Sequence, residues 1–220
     1  MSAPVRYRDI GRGLLGFADR IEVLCLRCER PGTVHKPRGG ESSDALFVCK
    51  HCSADARSER GDWAGWILLQ GQRPCGACGH QWIDARLERA PAQKLICLPE
   101  CGEIRDFDSV DVACPRCAHV SPVSLNARRL HSGHDRDPHL GLPLRLVERT
   151  RAGVLWAYNA EHIDEIRRYV AAEQRERRSA FWHRTMISHL PTWMKLARHR
   201  SMMLKALDRL TAKLAESRAG

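Results

Sequence analysis

All ten cysteines of this 220-residue chain fall in five close pairs within the first 117 residues: Cys25/Cys28, Cys49/Cys52, Cys75/Cys78, Cys97/Cys101 and Cys114/Cys117. Four pairs have Cys-x-x-Cys spacing and the other is Cys-x-x-x-Cys. Two thiolates so spaced sit on one tight turn and reach a single tetrahedral ion at about 2.3 Å, and a second pair about 10 to 25 residues later closes the site. The chemistry this predicts is structural zinc binding. Disulfides are disfavoured by context. No signal peptide precedes the first pair, and no window nears the roughly 18 apolar residues of a membrane span. The expected location is a reducing cytoplasm, where paired cysteines read as metal ligands.

Cys25/Cys28 and Cys49/Cys52, with 20 residues between them, form an ordinary ribbon or treble-clef spacing between strands predicted over 21–24 and 45–48. Gly79 and Gly102, each just after the second cysteine of its pair, suit the left-handed residue of a zinc knuckle. Five pairs cannot all be shared among four-cysteine sites. In the preferred arrangement Cys75/Cys78 join Cys97/Cys101, and Cys114/Cys117 take His131 and His134 as a third site. In the competing one Cys75/Cys78 join Cys114/Cys117, and Cys97/Cys101 are spare. His131 and His134 read equally well as solvated loop residues beside Gly133 and Asp135.

The elements that must position these ligands follow from pattern. Residues 1–20 are an N-terminal segment, 21–70 the first zinc module and an apolar connector in which Trp63, Trp66 and Leu69 share a face. Residues 71–136 are the second and possible third module, 137–158 a strand and loop connector, and 159–220 a basic helical region. Asn159 is an N-cap, with Ile163, Ile166, Tyr169 and Val170 forming an apolar stripe and Arg175, Arg177 and Arg178 ending the helix. Pro191 starts a short helix, and Met203, Leu204, Leu207, Leu210 and Leu214 have helical spacing in a longer one. The fold class is α+β, an array of small zinc ribbon or treble-clef modules followed by helices that need a partner surface.

The net charge of +10 counts the cysteines as neutral. Each four-thiolate zinc site nets −2, so loading leaves the front of the chain near neutral. Residues 159–220 hold 13 basic against 7 acidic side chains and carry the basic surface. Its candidates for phosphate contact are Arg167, Arg168, Arg175, Arg177, Arg178, Lys195, Arg198, Arg200, Lys205, Arg209 and Lys213. Glu173, Glu176 and Asp208 are interleaved with them, as on the solvated side of an amphipathic helix.

Asp137-Pro-His-Leu-Gly-Leu-Pro-Leu, Leu155-Trp-Ala-Tyr-Asn159, Glu161-His-Ile163, Tyr169-Val-Ala-Ala172 and Leu190-Pro-Thr-Trp-Met-Lys195 together resemble a bacterial family of uncharacterised zinc-ribbon-containing proteins, over about residues 75–213. The resemblance implies zinc ribbons and no particular activity. The family carries adjacent cysteines ahead of the Leu-Trp-Ala-Tyr-Asn stretch, where this chain has Arg149-Thr-Arg151. That departure implies that the last site has lost two ligands or exchanged them for His131 and His134. The first module is also similar in outline to the treble clef of His-Asn-His nucleases. His35 stands where their general base would, followed by Gly39-Gly40. Asp44 replaces their asparagine, and Ser53 their metal-binding histidine.

A zinc closed by four cysteines has no open position for water, which favours a non-enzymatic role. The expected function is a zinc-binding protein presenting a nucleic-acid-binding surface, with a protein scaffold or accessory subunit as the alternative and a degenerate nuclease as a further one. No membrane and no small-molecule substrate is expected.

Overall fold

The computed structural model describes residues 6–37, 44–91, 95–97, 109–131, 135–176 and 185–216. A short strand β1 (Arg6–Arg8) and a 3-10 turn (Leu14–Phe17) lead into an antiparallel sheet of four strands in chain order, β2 (Arg20–Leu24), β3 (Pro31–His35), β4 (Leu46–Val48) and β5 (Asp55–Arg57). Alternation decides their faces: Ile21, Val23, Val34, Phe47 and Ala56 point into the core. Because β3 runs away from the first cysteine turn and β4 returns, the β2–β3 and β4–β5 turns lie at one end of the sheet.

β6 (Asp62–Trp63) and β7 (Trp66–Arg73) follow, then β8 (Ile83–Arg89), β9 (Ile96–Cys97), β10 (Ser109–Ala113), β11 (Val120–Ser124) and β12 (Asn126–Leu130). β7 is central in a three-stranded sheet with β8 and β12, the β10–β11 hairpin packs beside it, and β6 pairs with β9. The 62–70 connector is thus strand, and Trp63, Trp66 and Leu69 do not share one face. Ile67 and Leu69 are buried on one face of β7, Trp63 is buried from β6, and Trp66 is only half-buried. Gly71 permits the close approach of β7 to β11, since a Cβ there would meet the Ser124 carbonyl oxygen at 1.9 Å. These strands enclose their own small core of Trp63, Ile67, Leu69, Ile83, Val123 and Leu125.

The chain then returns to the first module. Leu140, Leu142, Leu144 and Leu146 alternate into the larger core, and Leu144 bridges Val23 of β2. The turn that launches this segment is built on Asp137. Its carboxylate accepts the backbone N–H groups of His139 (2.9 Å), Leu140 (2.9 Å) and Leu142 (2.6 Å). Burial pushes its carboxyl up to about 6, against the pull of those amides and of Arg136. Gly141 has φ +69°, and a Cβ there would lie 2.2 Å from the Gly65 nitrogen, so the turn seats directly on the 64–65 backbone. Arg136 fastens the same join through the carbonyls of Ala64 (3.2 Å) and Gly141 (3.1 Å).

A hairpin of β13 (Val147–Thr150) and β14 (Gly153–Trp156) precedes helix α1 (Ala160–Ala171). Asn159 caps α1, accepting the His162 N–H at 2.9 Å while its Nδ2 donates to the carbonyls of Phe17 (2.8 Å) and Arg20 (2.7 Å). Ile163, Ile166, Tyr169 and Val170 are buried, as their spacing predicts. The helix stops at Ala171, ahead of the arginines expected to end it. Arg175 instead belongs to β15 (Gln174–Glu176), which pairs in parallel with β1. Nearby, the Tyr7 hydroxyl donates to the buried Glu165 carboxylate at 2.5 Å. α2 (Thr192–Lys195) and α3 (Arg200–Glu216) follow Pro191, and Met203, Ala206, Leu207 and Leu210 are buried against α1 and β13. The partner surface of the helices is therefore the chain itself. No helix among the described residues is long and apolar enough to cross a membrane.

Replacing Asp137 by alanine would leave three buried N–H donors unpaired, at about 1 kcal/mol or more each. Urea denaturation of the zinc-loaded Asp137→Ala protein should therefore show a loss of at least about 3 kcal/mol. Gly141→Ala should fall similarly, because strain in φ adds to the backbone collision.

Candidate metal centres

Cys25 and Cys28 occupy the β2–β3 turn, and Cys49 and Cys52 the β4–β5 turn, so the shared end of the first sheet gathers all four. Cys25 and Cys52 sulfurs lie 3.6 Å apart, as do those of Cys28 and Cys49. In the second module Cys75 and Cys78 lie between β7 and β8, and Cys114 and Cys117 between β10 and β11. Here Cys75 and Cys117 are 3.7 Å apart, and Cys78 and Cys114 3.8 Å. A tetrahedron of thiolates at about 2.3 Å from an ion has sulfur–sulfur edges of about 3.8 Å. Both clusters fit zinc in spacing and donor type.

The four turns are built alike. The first cysteine's N–H bonds the carbonyl five residues on (Arg30, Ala54, His80 and His119), and its own carbonyl accepts from the residue after the second cysteine. That residue is left-handed each time: Glu29 (φ 57°), Ser53 (φ 56°), Gly79 (φ 67°) and Ala118 (φ 59°). Gly79 behaves as its type predicts. The other three hold a conformation costing non-glycine residues about 1–2 kcal/mol, a cost that metal ligation would offset. Gly102 lies outside the described residues.

This geometry aims backbone N–H groups at sulfur. Amides of Cys78 and Ala77 draw the Cys75 thiol down to about 6. Burial raises the Cys49 thiol, but the amides of His51 and Cys52 with the thiols of Cys28 and Cys52 bring it to about 7. Cys28 and Cys117 are each lowered by a neighbouring amide, yet burial and hydrogen bonds to the other thiols push both up to about 12. Each metal-free cluster so contains a ready thiolate and a thiol that must lose its proton on loading.

The preferred pairing of the later cysteines is overturned: Cys75/Cys78 close with Cys114/Cys117. Strand length is the reason. β7 and β8 run eight and seven residues. They carry the chain about 25 Å from the Cys75 turn before β9 begins. There Cys97 pairs with Asp62, at the far end of the hairpin. His131 follows Leu130, which pairs with Trp66 at that same far end, and its ring meets the Trp63 indole edge-on at 5.2 Å. It does not reach Cys114 or Cys117. Cys101 and His134 lie outside the described residues.

In the first module strand β5 and a 3-10 turn (Ser58–Arg60), not the helix of a treble clef, follow Cys52, an order that fits a ribbon-like module. His35 and Asp44 are exposed. The buried histidines bond backbone: His139 Nε2 lies 3.0 Å from the Ala18 carbonyl, and His162 Nδ1 accepts the Tyr158 N–H at 3.2 Å. Burial, then Arg12, lowers His162 to about 3, so it is neutral.

The basic candidates separate into two groups. Arg167 pairs with Asp208 at 2.6 Å, Arg168 pairs with Glu165, and Arg209 (3.0 Å) and Lys213 (2.9 Å) both hold Glu148. Lys195 donates to the Ser188 carbonyl and Arg200 to that of Ala172. These cations join elements to one another. Arg198 and Lys205 are exposed and have no hydrogen-bond or ion-pair partner among the described residues. Arg177 and Arg178 lie outside the described residues, and Arg175 is described only through its backbone, in β15. Sequence reasoning passed over Arg149 and Arg151, exposed and equally unpartnered at the β13–β14 turn. The absence of any acid over residues 149–160 was the signal available.

Searches of protein-family models, curated proteins and solved structures gave no match.

Cys25 and Cys49 are buried with Cys28 and Cys52 partly covered, whereas Cys78 and Cys117 are exposed. A chelator should therefore strip zinc from the second cluster first, giving two release phases with a chromogenic metal indicator, of which Cys75→Ser removes the faster. Because loading expels protons from Cys28 and Cys117, zinc should also be released as pH falls from 7.5 to 5.

Proposed function

We propose that this is a non-enzymatic, zinc-structured nucleic-acid-binding protein, whose two ribbons serve as framework and whose contact surface is a patch of unpaired cations. The observation that carries the reading is the partition of charge. Arg149, Arg151, Arg198 and Lys205 have no partner among the described residues. The segments that bear them, residues 149–160 and 185–207, contain no aspartate or glutamate. Cations left without internal partners are available to displace counterions from phosphates. Four such contacts predict a log-log salt slope of about −3 for single-stranded nucleic acid. Fluorescence anisotropy on the zinc-loaded chain between 50 and 300 mM salt measures it, and salt-independent binding or none would defeat the proposal.

A protein scaffold is the second reading. Met203 and Leu207 of α3 are fully buried within the chain and offer no partner surface. The apolar side chains available instead are Trp82 (46% exposed), Leu87 (46%) and Val120 (55%) on the second module. The two clusters account for two zinc ions and leave Cys97, Cys101, His131 and His134 as the set from which a third would be held. Zinc per chain by elemental analysis decides this. Three ions falling to two in a His131→Ala/His134→Ala variant would establish the third, while two in both proteins would remove it.

A further inference from the structure

Between the β13–β14 turn and the corner joining α2 to α3 lies an open cleft of about 430 Å³ lined by Arg151, Ala152, Trp193, Arg198 and His199. We propose that this cleft binds a nucleoside phosphate, either a free mononucleotide or one unpaired unit of a single strand. The proposal rests on the nucleic-acid reading above and assigns it a site.

The chemistry of the walls selects that ligand. Arg151 and Arg198 have no protein partner among the described residues. Each offers the planar donor fork that grips phosphate oxygens. No carboxylate on either lining segment competes for them, and Glu148, just ahead of the turn, is already held by Arg209 and Lys213. A phosphate alone would leave the indole unused. Trp193 supplies a stacking surface for a base, and a space of several hundred Å³ suits one nucleotide.

The cleft is also held in shape. Gly153 has φ +150°, and a Cβ there would lie 2.7 Å from the Trp193 indole nitrogen, so glycine lets the ring rest directly on the turn. Thr150 braces the turn, its hydroxyl donating to the Gly153 carbonyl at 2.7 Å and accepting the Ala152 N–H at 3.2 Å. His199 Nδ1–H donates to the Trp193 carbonyl at 2.8 Å. That leaves Nε2 as the ring's remaining polar atom.

The test is fluorescence anisotropy of a labelled ten-nucleotide deoxythymidine strand with the zinc-loaded full chain, using Arg151→Ala/Arg198→Ala, Trp193→Leu and, as a distant basic control, Arg128→Ala. The double variant should bind about ten-fold or more weakly, with a salt slope shallower by about 1.4 for two lost phosphate contacts. Trp193→Leu should bind at least about five-fold more weakly, and Arg128→Ala like wild type. Competition by adenosine monophosphate identifies the free nucleotide as a ligand. Strand binding without it identifies the strand unit. Because Trp193 packs on Gly153, an Arg151→Glu/Arg198→Glu variant with unchanged zinc content and melting temperature decides the matter should Trp193→Leu unfold. If wild type binds the strand and the arginine variants bind it equally well, the cleft is overturned and the nucleic-acid reading stands. If wild type binds neither strand nor mononucleotide, both fall.

Discussion

The constraint on which the first 130 residues turn is the convergence of two pairs of hairpin tips, each bringing four thiols to the spacing of one tetrahedral metal ion. The sheets are narrow, and the second module's core is small, so apolar burial alone is a weak source of cohesion there. Four thiolates aimed at one point join two hairpins where side-chain packing is thinnest. The knuckles show the strength of that demand, because Glu29, Ser53 and Ala118 are held in a backbone region that glycine would occupy without strain. Such residues persist only where the surroundings over-determine them, and here each turn is fixed by its own backbone bonds and by thiols placed where an ion would bind all four.

The two ribbons are tied together differently. The first shares a continuous core with the returning 140–146 segment, α1 and α3, so that a zinc module and a helical region that look separate in the chain fold as one body. The second keeps its own core and meets the rest through the turn on Asp137, where Gly141 lies against Gly65 and Arg136 reaches across to Ala64. One buried carboxylate organises three amides at that join, a concentration of polar bonding that apolar packing could not replace.

Charge follows the same division of labour. Basic side chains on α1 and α3 read from sequence as a phosphate-binding face, yet Arg167, Arg168, Arg209 and Lys213 are spent on Asp208, Glu165 and Glu148. They hold helix to helix and helix to hairpin. The cations left over gather where acids are absent, at the β13–β14 turn and the α2–α3 corner, and it is this residue of uncompensated charge that gives the surface its chemical character.

Much was legible in the chain. Cysteine spacing determined the ligands of the first cluster, because a two-residue gap can be spanned only by a tight turn and 20 intervening residues suffice for a ribbon. Asn159 and the stripe from Ile163 to Val170 determined α1, since a cap and a 3.6-residue period are local properties. Pro191 and the leucine spacing did the same for α2 and α3. What only the tertiary structure decided was which distant groups meet. Cys75 finds Cys114 rather than Cys97 because seven- and eight-residue strands carry β9 and His131 to the opposite end of the hairpin, and strand length is not written in cysteine spacing. Which arginines remain free was equally hidden, for a basic side chain looks the same in sequence whether or not folding brings a carboxylate to it.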